Sequence, residues 1–187
     1  VADFFDALES KHMDFIKKQN MFFVATAPKD GRINLSPKGL DSFRILSPTK
    51  VAYLDHFGSG NETAAHLLDD GRITIMFNSF SRNALIMRLY GTGISHGQGT
   101  DEFNKLMGEF PETVGVRQIF VITINSIQTS CGWGVPVMEA AQERETLIKS
   151  IKNKGEQGMK DYGLKKNLVS IDGLETGLVL DGSKVSR

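Results

Sequence analysis

The chain has 187 residues, 40% of them apolar and 24% charged, which is the range of one globular domain with a real core. Lysine and arginine together number 22 and aspartate and glutamate 22, so no long-range field draws the chain to nucleic acid or to an anionic membrane. One cysteine, Cys131, excludes an internal disulfide framework and any cysteine-rich zinc site and points to a reducing compartment, the cytoplasm by default.

No apolar run approaches the roughly 20 residues needed to cross a bilayer, and the opening Val-Ala-Asp-Phe-Phe lacks the basic-then-apolar order of a secretory signal. Residues 2–18 carry Phe4, Phe5, Leu8, Met13, Phe15 and Ile16 at near-helical spacing and predict an amphipathic opening helix. Residues 21–27 and 33–37 form two extended runs around Lys29-Asp30-Gly31-Arg32, an Asp-Gly hairpin signal. Two short strands follow at 42–46 and 51–55, parted by Ser47-Pro48-Thr49. A helix fits 60–69, with Ser59 as N-cap, Glu62 at the capping-box position and Gly71 closing its end.

Residues 72–79 and 85–96 predict long strands, and Gly91 with Gly93 suggests a bulge or a close backbone approach. A helix at 101–109, a strand at 118–129 alternating Ile119, Val121, Ile122, Ile124 and Ile127 with polar residues, and a charged exposed helix at 138–154 complete the pattern. The tail from Gly155 is rich in glycine and lysine and weakly patterned. There is no internal repeat. The expectation is one α+β, mainly β domain over 1–187, built on an antiparallel barrel with peripheral helices and a helical C-terminal extension from about 138.

Three stretches carry chemistry. The run from Val51 to Thr63 leads a strand into a Gly- and Ser-rich turn and then a helix, where unpaired N–H groups, the hydroxyls of Ser59 and Thr63 and the amide of Asn61 suit a phosphate. The plainer alternative is that Ser59 only caps the helix, and Glu62 pointing inward would repel an anion. In Asn34-Leu35-Ser36-Pro37-Lys38-Gly39, Lys38 is placed to reach into a cleft, although a solvated loop lysine is the commoner case. Arg88 sits among Leu85, Ile86, Met87 and Leu89, and a buried arginine needs an anion, which a phosphate or an internal carboxylate would supply equally.

In their order these segments resemble the pyridoxamine 5'-phosphate oxidase-like FMN-binding split β-barrel family. The likeness rests on FFVATAPKDGRINLSPKG, VAYLDHFGSGNETAAHL, RITIMFNSF and MRLYGTG, covers about half the chain, and is extended by SCGWGVP at 130–136. It implies a homodimer with FMN at the subunit interface, its phosphate held near Ser59, Gly60, Asn61 and Thr63 with Arg88 as basic partner. It also implies Ser36 and Lys38 along the flavin ring and Tyr53, Leu54 and Asp55 lining its strand. Pyridoxamine phosphate oxidases proper carry an Arg-Lys pair in the phosphate turn and a C-terminal arginine and histidine for substrate. Here the turn is Ser-Gly-Asn-Glu-Thr and no such C-terminal signature is found, so the chain resembles the general branch of the family.

Trp133, between Gly132 and Gly134, could stack near a flavin, seal a dimer or simply pack. Cys131, with no second cysteine and no clear activating neighbour, is expected to be structural. Histidines 12, 56, 66 and 96 make no metal spacing, and no nucleophile elbow supports hydrolysis. The leading expectation is an FMN-dependent oxidoreductase acting on a small molecule or dioxygen, with no dedicated acid or base. The rivals are a binding or sensing protein for FMN or haem without turnover, and a deazaflavin barrel. An open face over the ring favours catalysis; Trp133 or the tail lying on it favours sequestration.

Overall fold

The computed structural model describes residues 2–139 and 141–185. The strands are β1 (Asp3–Phe5), β2 (Phe22–Thr26), β3 (Asn34–Lys38), β4 (Phe43–Ser47), β5 (Lys50–His56), β6 (Arg72–Asn78), β7 (Leu85–Gly97) and β8 (Val116–Cys131), with a small hairpin of β9 (Val179–Leu180) and β10 (Ser183–Lys184). The helices are α1 (Ser10–Lys17), α2 (Glu62–Asp69), α3 (Asp101–Met107) and α4 (Thr146–Lys166). No helix among the described residues is long and apolar enough to cross a membrane.

One antiparallel sheet runs β3-β2-β6-β7-β8-β5-β4, and β1 adds to β8. The long strand β8 organises it: its first half pairs with β5, its second half with β1, and β7 runs along nearly all of it. Curling this sheet buries one face as the barrel core, where Phe22, Phe43 and Phe77 meet with centroids 5.0–5.6 Å apart around Tyr53, Val24, Ile75 and Leu89. The sheet bends where β7 shifts register against β8 between Tyr90 and Gly91. A side chain at Gly91 would place its Cβ 2.2 Å from the Thr123 carbonyl oxygen, so the close approach requires glycine.

Several expectations are corrected. The first residues do not extend the opening helix: Asp3–Phe5 pairs with β8 and the helix begins at Ser10. The helix expected from 138 begins at Thr146 and runs to Lys166, beyond Gly155, whose φ of 69° breaks it internally. The tail is structured: residues 169 and 175 bridge, and Ile151, Met159, Leu178 and Leu180 close a separate apolar cluster on Phe57. The N-cap of α2 is Asn61 rather than Ser59, and Glu62 forms no capping box. Cys131 is exposed at the end of β8, so it has no packing role in this chain.

Candidate functional site

Between β3, the end of β5 and the N-terminus of α2 lies a cavity of about 310 Å³. Seven of the expected residues converge on it: Ser36 and Lys38 from β3, Asp55 from β5, Ser59, Gly60 and Asn61 from the turn, and Thr63 from the first turn of α2. Tyr53 and Leu54 do not line it. Alternation along β5 sends Tyr53 into the barrel core and Leu54 into a second cluster with Phe103, Leu106 and Phe110. Tyr53 still underlies the site, with the Lys38 amine 5.8 Å from its ring centroid.

The floor of the cavity is a buried ion network. Asp55, 5% exposed, accepts from Lys38 Nζ at 3.0 Å, from Arg117 Nη2 at 2.7 Å and from Gln118 Nε2 at 2.9 Å. Arg117 also donates to the Gly60 carbonyl at 2.9 Å, tying the network to the turn. Burial alone would raise the Asp55 carboxyl, but the charges of Arg117 and Lys38, with hydrogen bonds from Arg117 and Gln118, outweigh it and hold the group far below the ordinary carboxylate range. Burial also lowers the neighbouring His56, opposed by Asp55, and so favours a neutral imidazole.

Arg117 and Gln118 are consecutive and on a regular strand would face opposite ways. They reach one carboxylate because β5 and β8 slip register here: Asp55 faces Gln118 while His56 faces Val116, leaving Arg117 as the extra residue. Sequence reasoning missed Arg117 because it started the strand at Gln118. The available signal was a charged residue directly before an apolar strand.

The mouth of α2 is open. No side chain caps it, although Asn61 is of a capping type. The Asn61 side chain instead accepts from Gln118 Nε2 at 2.7 Å and donates to the Asn167 carbonyl at 3.3 Å. Around the opening, Asn34 Nδ2 donates to Ser36 Oγ at 3.3 Å and to Thr63 Oγ1 at 3.4 Å. Uncapped first-turn N–H groups beside hydroxyls and a lysine are the donor set an anion needs.

The remaining two expected residues lie elsewhere. Arg88 is half-buried on β7, where its guanidinium donates to Ser130 Oγ at 3.4 Å, and it does not reach this cavity within the chain. Trp133 follows β8 and is 86% exposed.

A split antiparallel barrel with a polar cavity between a hairpin strand and a helix mouth defines the class of protein. Residues 8–131 match the family described as pyridoxamine 5'-phosphate oxidase. A pyridoxamine 5'-phosphate oxidase family protein of Aspergillus flavus, ustO, is 39% identical over 193 residues, covering 91% of this chain and 76% of the relative. The chain belongs to the pyridoxamine 5'-phosphate oxidase family. Two solved structures share the fold. A Lactobacillus delbrueckii protein provisionally described as a pyridoxamine 5'-phosphate oxidase gives a TM-score of 0.53 at 20% identity, over 66% of this chain and 94% of that one. A variant of Group A Streptococcus HupZ gives 0.52 at 22% identity, over 65% and 98%.

Proposed function

We propose that this protein is an FMN-binding flavoprotein that works as an oxidoreductase, with the FMN phosphate at the mouth of α2 and the ring along β3 beside Lys38. The observation that carries the reading is the uncapped N-terminus of α2 opening on the Lys38 cavity. Ser59, Thr63 and the first-turn N–H groups would hold the phosphate, while Asp55 and Arg117 fix the turn from below. When bound, the flavin would supply hydride and electron transfer between a small-molecule donor and a second acceptor such as dioxygen. The chain's contribution is position and field: Lys38 keeps a cation on the cavity wall and Arg117 one on its floor, and the neutral state favoured at His56 adds no third one.

Turnover is favoured over storage by the space around Lys38. A second cavity of about 750 Å³, between Pro37, Leu40 and Leu147, shares Lys38 with the first and leaves room for a substrate. Trp133 does not cover it within one chain. The proposal includes a homodimer. Ile33 and Leu35, 78% and 64% exposed beside and on the edge strand β3, need cover, and Arg88 and Trp133 would then complete the partner's site.

The test is the visible spectrum of protein purified without added cofactor, with mass identification of what heat releases. Flavin bands support the reading, a Soret band turns it to haem, and a colourless protein that refuses FMN removes it. A stable monomer that binds FMN tightly would sink the shared site alone.

A further inference from the structure

We propose that the end of the barrel beside α1 is a binding site for a small uncharged aromatic molecule bearing a hydroxyl group, a phenol in chemical class. The site shares no lining residue with the cavity at the mouth of α2, so it stands or falls apart from the FMN reading.

A cavity of about 320 Å³ opens here, at the lower end of the range for small-molecule sites. Its inner wall is aromatic. Phe22, Phe43 and Phe77 all line it, and Phe43 meets the other two rings edge to face, with centroids 5.1 and 5.0 Å away. Phe22 and Phe77 are sealed in the core, whereas Phe43 and its neighbours in the wall, Met21 and Ile45, are only half-buried. The aromatic cluster of the core therefore ends in a ring that the chain does not fully cover, and one more ring would continue the edge-to-face packing.

The polar group of the wall is Ser42. It lines the cavity at 5% exposure, and its Oγ is buried with no hydrogen-bond partner among the described residues. A buried hydroxyl left unpaired is costly, and the hydroxyl of a bound molecule would satisfy it as donor or acceptor.

The wall that carries Ser42 is set before any ligand arrives. Leu40 and Asp41 turn the chain at φ of 62° and 50°, a region that leucine rarely adopts. Arg44 clasps that turn: its guanidinium donates to the Asp41 carboxylate at 2.8 and 3.1 Å and to the Asp41 carbonyl at 3.1 Å. Its Nε donates to the Glu109 carbonyl at 2.6 Å, which ties the clasp to the body of the protein. The clasp also neutralises the two charges nearest Ser42. The remaining charge in the lining, Lys17, is exposed in the last turn of α1, where a cation offsets the helix dipole. Such a lining favours an uncharged ligand.

The experiment titrates the full chain with phenol, toluene, cyclohexanol and benzoate, reading dissociation constants and the methyl NMR signals of Met21 and Ile45. Phenol should bind saturably, shift those two methyl signals, and bind more tightly than cyclohexanol, which lacks the ring, and benzoate, which carries a charge. Ser42→Ala should weaken phenol by roughly threefold to tenfold, the worth of one neutral hydrogen bond, and leave toluene unchanged. Its urea midpoint should match wild type, since the lost hydroxyl bonds to nothing within the chain.

An absence of saturable binding, or shifts at Ile151 and Met159, which line a different cavity, would overturn the site. Unaltered phenol affinity in Ser42→Ala, or tighter binding of cyclohexanol or benzoate than of phenol, would overturn the class of ligand assigned to it.

Discussion

The barrel and the segment behind it are held together by different physics. In the barrel, alternation along β2, β6 and β7 drives whole faces out of water, and Phe22, Tyr53 and Phe77 at the centre are almost wholly buried. In the segment from α4 onward, only Ile151, Met159 and Gly163 of a 21-residue helix are buried, and the attachment is one small cluster plus a few hydrogen bonds to Arg32, Gln98 and the turn into α2. The comparison teaches a division of labour. Area burial makes the scaffold, and sparse directional bonds set the geometry of the site.

The largest effect should come from the scaffold. Phe77→Ala, at 2% exposure in the aromatic centre, should cost about 4 kcal/mol, read from urea unfolding. A loss comparable to a surface change would mean the barrel does not depend on this cluster. Next, Asp55→Ala leaves Arg117, 3% exposed, without its carboxylate and should cost about 3 kcal/mol.

The same carboxyl predicts a pH signature. Because its folded value is depressed, Asp55 contributes stability that is complete above its unfolded value, near the ordinary aspartate range, and is lost as pH falls toward the folded value. Asp55→Asn should therefore flatten the acid limb of the stability profile and leave its shape unchanged above neutral pH. An unaltered acid limb would show that the ion network does not stabilise the fold.

Gly91→Ala should cost about 2 kcal/mol, because the new methyl meets the Thr123 carbonyl and one strand must shift. A neutral result would place the bend elsewhere. The smallest global effect belongs to the segment: Asn167→Ala should lower stability by about 1 kcal/mol, the worth of its bond to the Gly58 carbonyl. Hydrogen exchange should nevertheless show residues 58–62 opening. Uniform exchange changes across the barrel would erase the distinction between scaffold and segment.

Legibility in the sequence follows the same division. The β2–β3 hairpin was readable because Asp30-Gly31 punctuates two extended runs, and the β7 bend because Gly91 interrupts a long strand. Lys38, Asp55 and the turn residues were placed by local chemistry and by a family resemblance, and the structure brings them to one cavity. Arg117 was hidden by a one-residue slip of register, which no periodicity reports in advance. The opening strand was read as helix because three residues are too few to show a period against Phe4, Phe5 and Leu8. Asn167 gives no local signal of its place at the site, since the two residues it bonds there, Asn61 and Gly58, lie 106 and 109 positions away.

Asp55 lies between Lys38 and Arg117, and Glu62 adds a second carboxylate to the cavity lining, so the two cations are balanced before any ligand arrives. Such a pocket projects little field into solvent. Anion encounter should then be unsteered, with an association rate nearly insensitive to ionic strength, and discrimination should reside in how slowly the ligand leaves.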